Sequence, residues 1–151
     1  MHWTTHIVTG AEAGYLVGRP LPAVLLGFAS HCVLDVAPHY DPDSELGYAM
    51  DASSGCAALA LIAACSAIRG TDRHHAAFLG AIGGALPDIE LLVKLFDRDF
   101  ETENYVFPWH NGTLPHMQTH LAGSTVSQLA LITLMLGLVA LKARRRGFRQ
   151  A

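Results

Sequence analysis

The segment from Leu121 to Leu141, LAGSTVSQLALITLMLGLVAL, runs for 21 residues without a charged side chain. A helix of about 20 apolar residues crosses the hydrocarbon core of a bilayer, so this stretch predicts a transmembrane span. Lys142, Arg144, Arg145, Arg146 and Arg149 follow it directly. Basic residues flanking a span stay on the cytoplasmic side, which places the C-terminus inside. The same cluster could attract nucleic acid, but beside a span it reads as a topology anchor and a contact for anionic lipid.

Working outward from that span, four further helical segments are expected: Thr4 to Gly18, Pro20 to Val36, Ser54 to Ile68, and His74 to about Phe96. The fifth begins near Pro115. Arg19-Pro20-Leu21-Pro22 forms a sharp turn, because proline ends one helix and opens the next. An acidic loop from His39 to Ser53 and a polar, aromatic loop from Asp97 to Pro115 separate the apolar runs. Hydrophobic residues make up 51% of the chain and charged residues 15%, with a mean hydropathy of +0.30. Many of its glycines fall inside apolar runs, where each costs a soluble helix about 1 kcal/mol. Membrane helices instead use small residues to bring backbones together. The expected fold is therefore an all-α, multi-span transmembrane bundle of about four to five helices, in one domain over residues 1–151.

No basic stretch precedes the first apolar run, so no cleavable leader is expected and insertion would use the helices themselves. Cys32, Cys56 and Cys65 lie within apolar runs without a Cys-x-x-Cys pair, and read as small buried residues rather than a disulfide framework. Counting back from the cytoplasmic tail places Arg19, Arg69 and Arg73 inside as well; Lys94 and Arg98 are the exceptions. The N-terminus then lies outside, and His6, His31, Asp35, His39, Asp88, His110, His116 and His120 gather on the outer side.

These residues have the chemistry of a metal site, since a divalent first-row ion takes imidazole and carboxylate ligands converging from several segments. His31 and Asp35 are four apart and share a helix face. An unpaired acid in a membrane helix costs roughly 2.5–3.5 kcal/mol at the centre, so Asp35 would be ligating, paired with His31 to close the helix end, or near the headgroups. Pro87-Asp88-Ile89-Glu90 breaks the fourth segment. Backbone opened at membrane depth lines a polar cavity, which would put Asp88 in one; a kink solvated from outside is the plainer alternative. His116 and His120 repeat the four-residue spacing at the fifth segment's start, as ligands or as a solvated first turn. His110 and His6 complete the candidates. His39 reads equally as a ligand or a solvated loop residue, His74 and His75 as helix-start residues, and His2 as terminal and disordered. Leu26-Gly27 with Asp35 and Leu79-Gly80 with Asp88 form a faint echo at an offset of 53 residues. The chain has no Gly-x-Ser-x-Gly elbow, P-loop or dinucleotide fingerprint.

Thr5-His6 before a small-residue helix, then Gly80-Ala81-Ile82-Gly83-Gly84-Ala85-Leu86-Pro87-Asp88, then a His-rich loop, resemble the membrane-bound metal-dependent hydrolase family. Ser30-His31-Cys32-Val33-Leu34-Asp35 also looks like the His-x-x-x-Asp helix of zinc-dependent phospholipases C. The chain departs from the family's Pro-Asp-x-Asp at Glu90, and from its His-Arg-Gly-x-Thr-His at His110-Asn-Gly-Thr-Leu-Pro-His116. The resemblance implies a hydrolase in which a water of lowered pKa attacks an ester or phosphoester at the headgroups. The expected ligands are His6, His31, Asp35, Asp88, His110 and His116 around a divalent ion, zinc foremost, with Glu90 or Asp41 as general base. The substrate would be a lipid or another phosphoester; no nucleic-acid partner is expected. Two other readings stand beside it: a membrane protein that binds or passes metal ions or protons, and a soluble helical bundle with the same site.

Overall fold

The structure, a computed structural model, describes residues 2–37, 39, 40, 44–93, 97, 99–108 and 110–114, together with 126, 128–130, 133, 134, 137, 138, 140 and 141. Four helices carry the fold: α1 (Trp3–Val17), α2 (Pro20–Val36), α3 (Glu45–Arg69) and α4 (Asp72–Ala85). A 3₁₀ turn over Pro87–Leu92 follows α4, and the described residues between 126 and 141 are helical. Among the described residues the fold is all-α.

Local chemistry sets the helix ends. Gly18, at φ 67°, closes α1 with its N–H on the Gly14 carbonyl, and Gly70, at φ 57°, closes α3 in the same way on Ser66. Both need the left-handed conformation that glycine adopts without penalty. Pro20 opens α2. Thr71 caps α4, its side chain accepting from the His74 N–H. Pro87 has no N–H to give and its ring crowds the preceding turn, so α4 yields to the 3₁₀ turn there.

The third helix begins nine residues before the expected Ser54, at Glu45. Ser44 caps it, accepting from Gly47 N at 3.2 Å, and its first turns carry the acids that made this stretch read as a loop. One of them, Asp51, accepts the Trp3 backbone N–H with both oxygens, at 3.1 and 3.0 Å. A carboxylate there satisfies an orphan donor and the positive end of the α1 dipole. His2 belongs to the same contact, its Nδ1 being 3.3 Å from Asp51, so it is tied down rather than disordered.

The centre of the bundle is built from small residues. α4 packs against α1, α2 and α3. The Gly80 carbonyl occupies the space that a Cβ on Gly10 or Gly27 would need, and a Cβ on Gly84 would overlap the His6 carbonyl. Trp3 spans this packing: its Nε1 donates to Ala85 O at 3.1 Å, and its ring lies where a Cβ on Gly55 would fall. Thr5 Oγ1 donates to Gln128 Oε1 at 2.6 Å, joining α1 to the last segment. Polar side chains share the interior with a small apolar core around Trp3 and Ile7. His6, Glu12, His31, Asp35 and Asp88 are buried, whereas Leu25, Val33, Leu61, Ile68, Val126 and Leu134 are at least 60% exposed. Cys56 and Cys65 are also exposed, against the expectation that they pack inside.

Among the described residues, α3 alone is long and apolar enough to cross a membrane. Its 25 residues extend about 37 Å. α1 and α2 are 15 and 17 residues long. The 115–141 segment lies partly outside the described residues, and its span is not placed.

Candidate metal centre

Four pieces of chain bring their polar side chains to one end of the bundle: the start of α1, the end of α2, the 3₁₀ turn after α4, and the loop before residue 114. His6 is in the first turn of α1, where the Asp51 cap and the Trp3 indole fix the helix against α3 and α4. His31 and Asp35 come from one face of α2. Pro87 turns the chain so that Asp88 meets them. His110 is delivered by a self-braced turn: its N–H donates to Phe107 O at 3.0 Å, Asn111 Nδ2 donates to Tyr105 O at 3.1 Å, and Gly112 takes φ 80°.

Five side chains converge. Asp35 Oδ1 lies 3.1 Å from His6 Nε2, and Asp35 Oδ2 lies 3.0 Å from His31 Nε2 and 3.5 Å from His110 Nε2. Asp88 Oδ1 is 3.6 Å from His31 Nε2 and 3.4 Å from His110 Nε2, and Asp88 Oδ2 is 4.0 Å from His6 Nε2. His6 and His31 stack with centroids 3.8 Å apart. Two nitrogen or oxygen ligands at about 2.1 Å from a shared ion stand roughly 3.0–4.2 Å from each other, from adjacent to opposite positions. All six separations fall in that interval. Two groups, His6–His31–Asp88 and His31–Asp35–His110, have the spacing to hold a metal ion.

Burial sharpens the fit. His6 and His31 are fully buried and Asp35 and Asp88 nearly so. His6 Nε2 makes no hydrogen bond despite its closeness to Asp35, and neither does Asp88 Oδ2. A buried polar atom left in this condition costs free energy unless something else coordinates it. The donor set, imidazole nitrogens with carboxylates, suits a first-row divalent ion.

Outer partners fix two of the three imidazoles. His31 Nδ1 donates to Gly84 O at 2.8 Å, which turns Nε2 toward the centre. His110 Nδ1 donates to Glu90 Oε1 at 2.7 Å. Glu90 is itself held by the N–H groups of Val106 at 2.7 Å and Phe107 at 3.3 Å. Such carboxylate–imidazole contacts set the tautomer and raise ligand basicity. Burial works against a charged His110, but the carboxylates of Asp35, Asp88 and Glu90 outweigh it and lift its pKa to about 10. Burial pushes the neighbouring Tyr105 up to about 12.

The structure thus gathers His6, His31, Asp35, Asp88 and His110, with Glu90 behind His110 rather than facing the centre. Asp41, His116 and His120 lie outside the described residues. His39 is fully buried, with Nδ1 2.7 Å from Ala37 O, so it is not the solvated loop residue its neighbourhood suggested. His74 is a helix-start residue, its Nδ1 2.6 Å from the capping Thr71 hydroxyl. Two residues that organise the site went unread in the sequence. Trp3 carried no motif, and the helix that positions Asp51 was masked by its own acids. Comparison with family models, with curated proteins and with solved structures finds no match to the chain.

Proposed function

We propose that the protein is a membrane-embedded, metal-dependent hydrolase that cleaves an ester or phosphoester at the outer face of the bilayer. The observation that carries this reading is the convergence of three imidazole Nε2 atoms and two carboxylates, from four separate pieces of chain, at one buried end of the bundle. His6, His31, Asp35, Asp88 and His110 would hold the ion, zinc or a similar first-row cation. Bound there, the ion would supply Lewis acidity toward a carbonyl or phosphoryl oxygen and lower the pKa of water. Glu90 positions His110.

Several features favour a multi-pass membrane setting. The outward faces are largely apolar, with leucine and valine on α2 and in the last segment and alanine, Leu61 and Ile68 on α3, and the helices meet through glycine, as bilayer helices do. Positive-inside counting then puts the metal centre on the outer side and the basic tail in the cytoplasm. Single cysteines at Ser44 and Gly70, the two ends of α3, label from opposite sides in this arrangement; labelling from one side would remove α3 from the bilayer.

Purified protein in detergent is the direct test. It should contain a divalent metal and hydrolyse bis(p-nitrophenyl) phosphate or phospholipid in vesicles, with turnover lost on chelation and restored by adding metal back. Stoichiometric metal with no turnover on either ester would favour the ion-binding reading instead.

A further inference from the structure

A second feature lies deeper along α1. Glu12 is six residues beyond His6, about 9 Å along the helix axis, and is 6% exposed. Neither of its carboxylate oxygens accepts a hydrogen bond. The side chain lines a cavity of about 260 Å³ between α1, α3 and α4, whose wall includes Tyr15, Leu61, Ile62, Cys65 and His74. The basic groups nearby are committed elsewhere. Arg73 Nη1 donates to Tyr15 O at 2.9 Å, with the guanidinium over the Tyr15 ring, and His74 is bonded to Thr71. The chain has therefore placed an acid in the wall of an apolar cavity and given it no donor.

We infer that this cavity is a binding site for a small apolar amine, with Glu12 receiving the ammonium and the α1–α3–α4 wall receiving the hydrocarbon. Pockets for small ligands have this form, a mostly apolar lining with a few polar groups that fix orientation. A charge-assisted hydrogen bond from an ammonium would give Glu12 the partner it lacks, in a setting where an unpaired acid is costly. The site is separate from the metal centre and does not depend on its chemistry.

Cys65 provides the readout, because it lines the cavity and is a free, exposed thiol; Cys56, also free and exposed but outside the cavity wall, is the internal control. The probe is 1-adamantylamine, a compact cage carrying one primary ammonium, with 1-adamantanol as its neutral counterpart. With the amine at roughly ten times its Kd, maleimide alkylation of Cys65 should slow about tenfold, the factor 1 + [L]/Kd, while Cys56 is unaffected. Glu12→Gln should abolish most of that protection and leave bound metal unchanged. Equal protection by the alcohol, protection that persists in Glu12→Gln, or no protection up to saturating amine would each overturn the inference. The amine–alcohol comparison is made on the unaltered chain, so it stands even where the variant fails to fold.

Discussion

Glu90 Oε1 accepts a hydrogen bond from His110 Nδ1 at 2.7 Å, so the acid two residues after Asp88 acts on the centre through an imidazole. Loss of an outer-shell carboxylate of this kind typically weakens metal affinity 10–100-fold. Glu90→Gln is expected to raise the metal Kd by about that factor, measured by competition with a chelating dye. Unchanged affinity with a large fall in turnover would instead make Glu90 the general base.

His31→Ala and Asp35→Ala should each strip the ion from the protein while leaving the helices inserted. The two residues share a face of α2 and approach to 3.0 Å, and each is central to the cluster. Elemental analysis of detergent-purified variants decides the matter. Metal at the wild-type level in both would reduce the pair to a hydrogen bond closing a helix end.

Metal binding should strengthen as pH rises. In the ion-free protein His110 holds its proton up to about pH 10, against an ordinary value of 6.5. Its folded pKa is raised, so its contribution to stability is complete below the ordinary value and is lost as pH climbs through about 10. An ion at Nε2 must displace that proton, and one displaced proton makes the affinity rise about tenfold per pH unit between roughly pH 7 and 9. Titrations across that range should show this slope, and His110→Asn should flatten it. A pH-independent affinity would remove His110 from the ligand set.

Gly80→Ala should destabilise the bundle by at least about 1–3 kcal/mol, the usual cost of overpacking, because the new methyl would overlap the Gly10 carbonyl. The obstruction is backbone and has no rotamer to change. Gly137→Ala is the matched control, since a Cβ there meets nothing within 4 Å. Thermal unfolding of the two variants in the same detergent should separate them clearly.

What the sequence disclosed and what it concealed divide along physical lines. The shared face of His31 and Asp35 is local, set by helix periodicity, and so readable from spacing. Asp88 was marked by the proline before it. Glu90 was expected only as a general base; its contact with His110, 20 residues on, depends on the fold of the loop that carries the imidazole and not on local spacing. The early start of α3 was hidden because Glu45 and Asp51 resemble loop composition, and the donor that Asp51 satisfies, the Trp3 N–H, is 48 residues away. Glu12 was visible as the lone acid of the first helix, but only the packing of α3 and α4 reveals that it is buried without a donor.

Backbone contact through Gly10, Gly27, Gly80 and Gly84 has a calorimetric consequence. A soluble domain owes its heat capacity of unfolding, about 12–15 cal/mol/K per residue, to apolar side chains becoming hydrated. Here the leucines and valines already face outward in the native bundle, and in a micelle they meet hydrocarbon before and after the helices separate. What separation exposes is glycine backbone, a small apolar core of Trp3, Ile7 and alanines, and a handful of buried polar groups. The enthalpy of unfolding would then vary little with temperature, and the stability curve would be nearly straight rather than domed.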